Sequence, residues 1–241
     1  MPTWVTHLSV ADGVIKRLPY LCKREFCVGN IAPDCNIENE DWTSFTPPRK
    51  VTHWMSGERK TGSDAERFLG AYVKNKPLAP NEESFLLGYY AHLITDAGFA
   101  SFIRDKERLA ECFGRIKANA ELCALLQGAE ENWDTVKKLI SKEDRMRDIY
   151  SLERKYLDEN PDSGYFTEIL PLSSFPDYID YLPKDAVMRK IKVMGYIPIR
   201  EAGKYPYIAI SEAEYHGFIA DMTDKITDAI GKYVNEKETR K

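Results

Sequence analysis

Long apolar runs are missing from this 241-residue chain; none approaches the eighteen or so residues a bilayer-spanning helix needs, so no membrane anchor is expected. Cysteine is scarce as well. Five residues, Cys22, Cys27, Cys35, Cys112 and Cys123, are too few and odd in number for a disulfide frame, and suit reduced thiols. No CxxC pair occurs among them, which argues against a zinc–thiolate centre although Cys22, Cys27 and Cys35 lie close together. An excess of positive charge is absent too: the net charge is -4, which gives no general attraction for nucleic acid. The one local basic cluster, Lys184, Arg189, Lys190 and Lys192, reads as a solvated helix face. There is no Gly-rich phosphate loop, no GxSxG elbow, no internal repeat and no convincing strand pair. Nucleotide-binding α/β folds, serine hydrolases and repeat architectures are thereby set aside. The opening MPTWVTHLSVADGVIKRLPYL lacks a basic segment followed by a continuous apolar one, because Thr6, His7, Ser9, Asp12 and Lys16 interrupt it. No signal peptide is read there, and with the thiol content this gives a cytoplasmic expectation.

What remains is a chain with 43% hydrophobic residues and apolar periodicities of helical type, and an all-α fold is expected over residues 1–241 as a single domain. Residues 3–18 read as a first helix that ends before Pro19. Phe26 to Asp34, FCVGNIAPD, reads as a loop held by Gly29, Asn30 and Pro33, with Asp34 at its end. Ser63 to Glu66 fits a capping box that opens a helix to about Asn75. Residues 104–127 and 130–158 read as two amphipathic helices. The stretch from Asn160 to Tyr207 is rich in Pro and aromatic residues, is interrupted by a helix near 184–194, and reads as structured connecting chain packed on the core rather than a pocket wall. Ser211 to Glu214 is a second capping box, opening a last helix to about Asn235.

The centre of the chain is Asn81 to Ile103, NEESFLLGYYAHLITDAGFASFI, which predicts a helix buried nearly all round. At about 100° per residue, Phe85, Tyr89, His92, Asp96, Phe99 and Ile103 form one stripe, and Leu87, Tyr90, Ile94 and Ala97 cover the other side. A buried carboxylate in that stripe must be protonated, ion-paired or metal-bound, because burying an isolated charge costs several kcal/mol. The i, i+4 spacing lets His92 and Asp96 reach one ion, although a helix alone reads equally as a His–Asp hydrogen bond. The other three histidines are His7 in the first helix, His53 beside Trp54, and His216 on the flank of the apolar stripe of the last helix. Together with Asp34 and Asp96 they make a nitrogen and oxygen donor set of the kind zinc and related ions take.

Four segments, MPTWVTHL at the start, GNIAPD at Gly29 to Asp34, His53-Trp54, and GYYAHLITD at Gly88 to Asp96, resemble the zinc-dependent phospholipase C family, whose all-helical fold is shared with the P1-type nucleases. The resemblance implies a central buried helix near 81–103 and a site in which Asp34, His53, His92 and Asp96 ligate one metal, with Asp96 bridging toward a second that His7 and His216 help bind. Family members with three metals carry a further His after the HxxxD aspartate and a Glu four residues after the last ligand His. Ala97 to Ile103 holds no His and Ala220 occupies the other place, so one or two divalent ions, zinc first, are expected. The implied activity is hydrolysis of a phosphodiester or phospholipid-like molecule by a metal-activated water, with a spare oxygen of Asp34 or Asp96 orienting that water. A nuclease of the same fold is the less favoured substrate class, since no basic stripe with interleaved aromatics is present. A non-catalytic helical protein with a structural metal is the alternative of a different kind.

Overall fold

Helix formation follows the apolar periodicity closely, and the computed structural model describes residues 2–41, 43–57 and 62–239. Apart from one two-residue strand pair, helices carry the regular structure: α1 (Trp4–Arg17), α2 (Lys23–Ile31), α3 (Arg49–Thr52), α4 (Ala65–Tyr72), α5 (Pro80–Phe102), α6 (Lys106–Ala118), α7 (Ala120–Leu126), α8 (Trp133–Leu139), α9 (Lys142–Glu159), α10 (Ala186–Met194) and α11 (Glu212–Thr239). The strands β1 (Ile37–Glu38) and β2 (Phe45–Thr46) pair antiparallel, Ile37 opposite Thr46 and Glu38 opposite Phe45. That hairpin departs from the reading that no strand pair is present. Two residues per strand are too few to leave a period-2 signal. No helix of the described residues is long and apolar enough to cross a membrane.

The chain falls into two compact units, the first made of Met1–Gly98, Pro161–Tyr196 and Ile219–Lys241, the second of Phe99–Asn160 and Ile197–Phe218. In the first, α5 is buried continuously from Ser84 to Asp96, as its all-round apolar character demands. The expected loop at Phe26–Asp34 is instead helix α2 followed by a 3-10 turn over Ala32–Asp34. Gly29 serves close approach here and not a turn. A Cβ on Gly29 would lie 2.0 Å from the Phe85 carbonyl oxygen, and one on Gly88 would lie 2.2 Å from the Phe26 carbonyl oxygen, so two glycines facing across α2 and α5 let the backbones touch. That packing outweighs the weak helix propensity of glycine and asparagine in the segment.

The aromatic segment after Pro161 packs inward in this unit. Asp12 of α1 holds it, accepting from Ser163 Oγ at 2.7 Å and from Gly164 N at 2.9 Å, and a short π-helical turn, Tyr165–Ile169, follows with Tyr165 and Ile169 buried. Phe175 and Tyr178 lie against Phe85, and Tyr181 donates to Tyr89 Oη at 2.8 Å. Helix α4 is capped by Asp64, whose carboxylate accepts from Arg67 N at 2.9 Å, one residue later than the Ser63 box predicts.

In the second unit, each expected amphipathic helix is two. Asn119 ends α6 and caps α7, accepting from Leu122 N at 3.1 Å, and Ser141 caps α9 through Asp144 N at 3.0 Å. Short polar side chains that bond nearby N–H groups break a helix whose apolar face continues across the break. Leu109, Cys112, Phe113, Ile116, Leu122, Val136 and Ile140 form an apolar core there with Tyr205 and Ala209. The capping box at the start of α11 is formed in both directions, Ser211 N to Glu214 Oε2 at 2.6 Å and Glu214 N to Ser211 Oγ at 3.2 Å.

Candidate metal centre

Five of the six metal-ligating candidates converge in the first unit: His7 from α1, Asp34 at the end of the 3-10 turn, His53 after α3, and His92 and Asp96 from α5. His7, His92 and Asp96 form one group of donors within 4.8 Å of one another, and Asp34, His53 and His92 form a second. The side chains of all but Asp34 are fully buried, and Asp34 is 16% exposed, so the cluster reaches solvent on the Asp34 side.

Second contacts fix which nitrogen faces the cluster. His92 Nδ1 sits 2.7 Å from the carbonyl oxygen of Asn30, which can only accept, so Nδ1 carries the proton and Nε2 presents its lone pair inward. The Gly29–Gly88 crossing places that carbonyl, since Asn30 follows Gly29 on α2 and His92 lies one turn beyond Gly88 on α5. His53 Nδ1 lies 2.9 Å from Thr52 Oγ1, whose hydroxyl donates to the Arg49 carbonyl at 3.4 Å, so this imidazole also gives its Nδ1 proton away and turns a lone pair inward. Burial, reinforced by the neighbouring His7, holds His92 well below the ordinary histidine range, which keeps the ring neutral.

Two Nε2 lone pairs then face each other, His92 and His53, 3.4 Å apart. Without a proton between them the contact is repulsive unless a cation is shared. His53 Nε2 lies 3.3 Å from Asp34 Oδ1 and 3.4 Å from Asp96 Oδ2, and His92 Nε2 lies 3.8 Å from Asp96 Oδ2. Four donors at bond lengths of about 2.0–2.1 Å around a tetrahedral ion stand about 3.3–3.4 Å apart, so three of these four edges match and the fourth is slightly long. The residues present therefore fit a divalent ion held by Asp34, His53, His92 and Asp96.

His7 stands at the edge of that set. Its ring stacks on His92 with centroids 3.9 Å apart, its Nε2 is 3.7 Å from Asp96 Oδ1, and neither of its nitrogens makes a hydrogen bond among the described residues. Because a single Nε2 of His92 serves one ion, the two donor groups are not independent triads. Asp96 is the residue that faces both sides, Oδ1 toward His7 and Oδ2 toward His53 and His92.

His216, expected to help bind a second ion, is not brought to these groups. It belongs to the second unit, and its side chain is 49% exposed beside Glu212, 3.5 Å from Oε1. Tyr215 and Phe218 take the buried face of α11, and a step of about 100° from Tyr215 turns residue 216 outward. No cysteine joins a donor group among the described residues. The basic cluster is also corrected in part: Lys190 is 3% exposed and pairs with Glu38 at 2.7 Å, and Arg189 pairs with the same carboxylate at 2.7 Å, while Lys184 and Lys192 are exposed. Their shared charge holds Glu38 down at about 2.

Arg49 escapes a reading of the sequence that looks for ligand types. Its position four residues before His53, one turn away on the same short helix, is the signal that brings it alongside. No family model, no curated protein and no solved structure matches the chain.

Proposed function

We propose that this protein is a metal-dependent phosphoesterase, with one divalent ion, zinc first, held by Asp34, His53, His92 and Asp96. The observation that carries the reading is the pair of inward-facing imidazole lone pairs framed by two carboxylates at tetrahedral edge lengths. An ion bound there lowers the pKa of its water from about 15.7 to about 7 and polarises a phosphoryl oxygen. The chain does the rest. Asn30 and Thr52 keep His92 and His53 in the tautomer that leaves Nε2 open. Asp96 has both oxygens turned to histidines, which leaves Asp34, at the solvent edge, as the carboxylate that orients the attacking water and takes up its proton. The substrate class is a small-molecule or lipid phosphodiester, the class carried by the resemblance of the four segments.

Metal content by inductively coupled plasma mass spectrometry, on wild type and His92→Ala, tests the site. About one equivalent of zinc in wild type, lost in the variant together with hydrolysis of bis(p-nitrophenyl) phosphate, is the expected result. Less than about a tenth of an equivalent in wild type after soaking with zinc overturns it. One observation favours a second reading: four protein donors, three of them fully buried, resemble a closed structural site rather than an open catalytic one. Zinc at one equivalent with no turnover of any phosphodiester assigns the protein to that class.

A further inference from the structure

The mouth of the cluster is flanked by a guanidinium. Arg49 Nη2 stands 4.0 Å from Asp34 Oδ1, the same oxygen that lies 3.3 Å from His53 Nε2, and its side chain is 34% exposed where the other candidate donors are closed. Arg49 and His53 leave one short helix a turn apart, with His53 N donating to the Arg49 carbonyl at 2.8 Å, so whatever places the imidazole also places the guanidinium. The planar group is held from the other side by Phe45 of β2, whose ring centroid is 4.9 Å from the Arg49 Cζ. Phe45 is flanked in turn by Lys190, which Glu38 neutralises. Of the three cations around this ring system, Arg189 and Lys190 share one carboxylate within 2.7 Å, whereas Arg49 borders the one carboxylate that also faces the histidines.

We infer that Arg49 is the substrate-anion residue of this site. Its fork of N–H donors receives the ionised non-bridging oxygens of a phosphate ester brought to the Asp34 edge. This rests on the metal-centre reading and narrows it: the site selects esters that carry negative charge on the reacting group and disfavours neutral carboxylic esters. Arginine suits the role because its planar donors match two phosphate oxygens at once, which a lysine cannot do. Ordering by Phe45 reduces the side-chain freedom lost when the anion binds.

The test is isothermal titration of inorganic phosphate into zinc-loaded wild type, Arg49→Gln and Arg49→Lys, with zinc content measured on each sample. Arg49→Gln is expected to keep its zinc and to weaken phosphate binding at least about tenfold, while Arg49→Lys, which keeps the charge but not the fork, loses about threefold. Phosphate affinity in Arg49→Gln within about twofold of wild type overturns the inference and leaves the metal centre standing. So does a zinc-loaded wild type that gives no phosphate binding. If Arg49→Gln alone fails to fold or load zinc, Arg49→Lys decides, and unchanged affinity there overturns the inference. A wild type that takes up no zinc overturns the metal centre and this inference together.

Discussion

Buried carboxylates in the two units meet opposite fates. In the second unit Asp148 is buried under an otherwise apolar core and accepts from two backbone donors, Gly203 N at 2.9 Å and Tyr207 N at 3.0 Å. In the first unit Asp96 is buried just as deeply and faces three histidines, two of which have given their Nδ1 protons to other partners. The first arrangement is complete as protein alone; a carboxylate with N–H donors is a structural brace. The second gathers lone pairs and negative charge in a place without water, and such a gathering is stable only with a cation in it. Burial by itself therefore says little about function. The direction of the protons around the buried group says a great deal.

The largest effect that tests this contrast is Asp96→Asn. Removing one of four charged donors is expected to weaken zinc binding by about ten-thousandfold, or about 5.5 kcal/mol, measured by competition with a chelating dye. A loss under about tenfold would break the comparison by making Asp96 a bystander. Asp148→Asn sharpens it from the other side: a cost of about 1–3 kcal/mol in urea unfolding with zinc content unchanged is expected, because one backbone donor loses its charged acceptor. Zinc loss in that variant would show that the two units are not chemically separate. The smallest effect concerns Glu38, a carboxylate satisfied by cations. Its bonds to Arg189 and Lys190 hold it at about 2 in the folded chain against an ordinary value near 4.5, so the unfolded chain binds more protons between those values. Its stabilisation is whole above about pH 4.5 and is lost as pH falls through about 2. In zinc-free protein, wild type should lose about 1–2 kcal/mol more than Glu38→Gln between pH 5 and pH 2.5, a figure discounted for screening at the surface-exposed Arg189. Equal losses would remove Glu38 from the comparison.

Much of this was legible before the coordinates. HxxxD on a helix apolar all round placed His92 and Asp96 inside, and the helical spacing around His7 did the same for α1. The misses have one physical cause, that single-residue signals lose to packing. Gly29, Asn30 and Pro33 are turn residues by propensity, yet the segment from Lys23 to Ile31 is helical because Gly29 meets Gly88. His216 sits one residue past a buried tyrosine, and on a helix one residue is enough to change core for solvent. Lys190 looked like one of four exposed lysines and arginines, and only the fold brings Glu38 to it from about 150 residues away, at a separation of 152 positions. Arg49 carried no ligand signature at all.

The paired glycines between α2 and α5 have a consequence for how much drift this centre tolerates. Two helices whose backbones touch through missing side chains have one register: sliding α2 by a single residue, about 1.5 Å, would set the Phe85 or Phe26 carbonyl against a neighbour that has a Cβ. The carbonyl that orients His92 belongs to the residue beside one of those glycines, so the tautomer of the imidazole is indexed to the helix crossing. Selection on the metal site would then fall first on two residues that carry no donor atoms in their side chains, and a survey of variants should find Gly29 and Gly88 as intolerant of change as the histidines themselves.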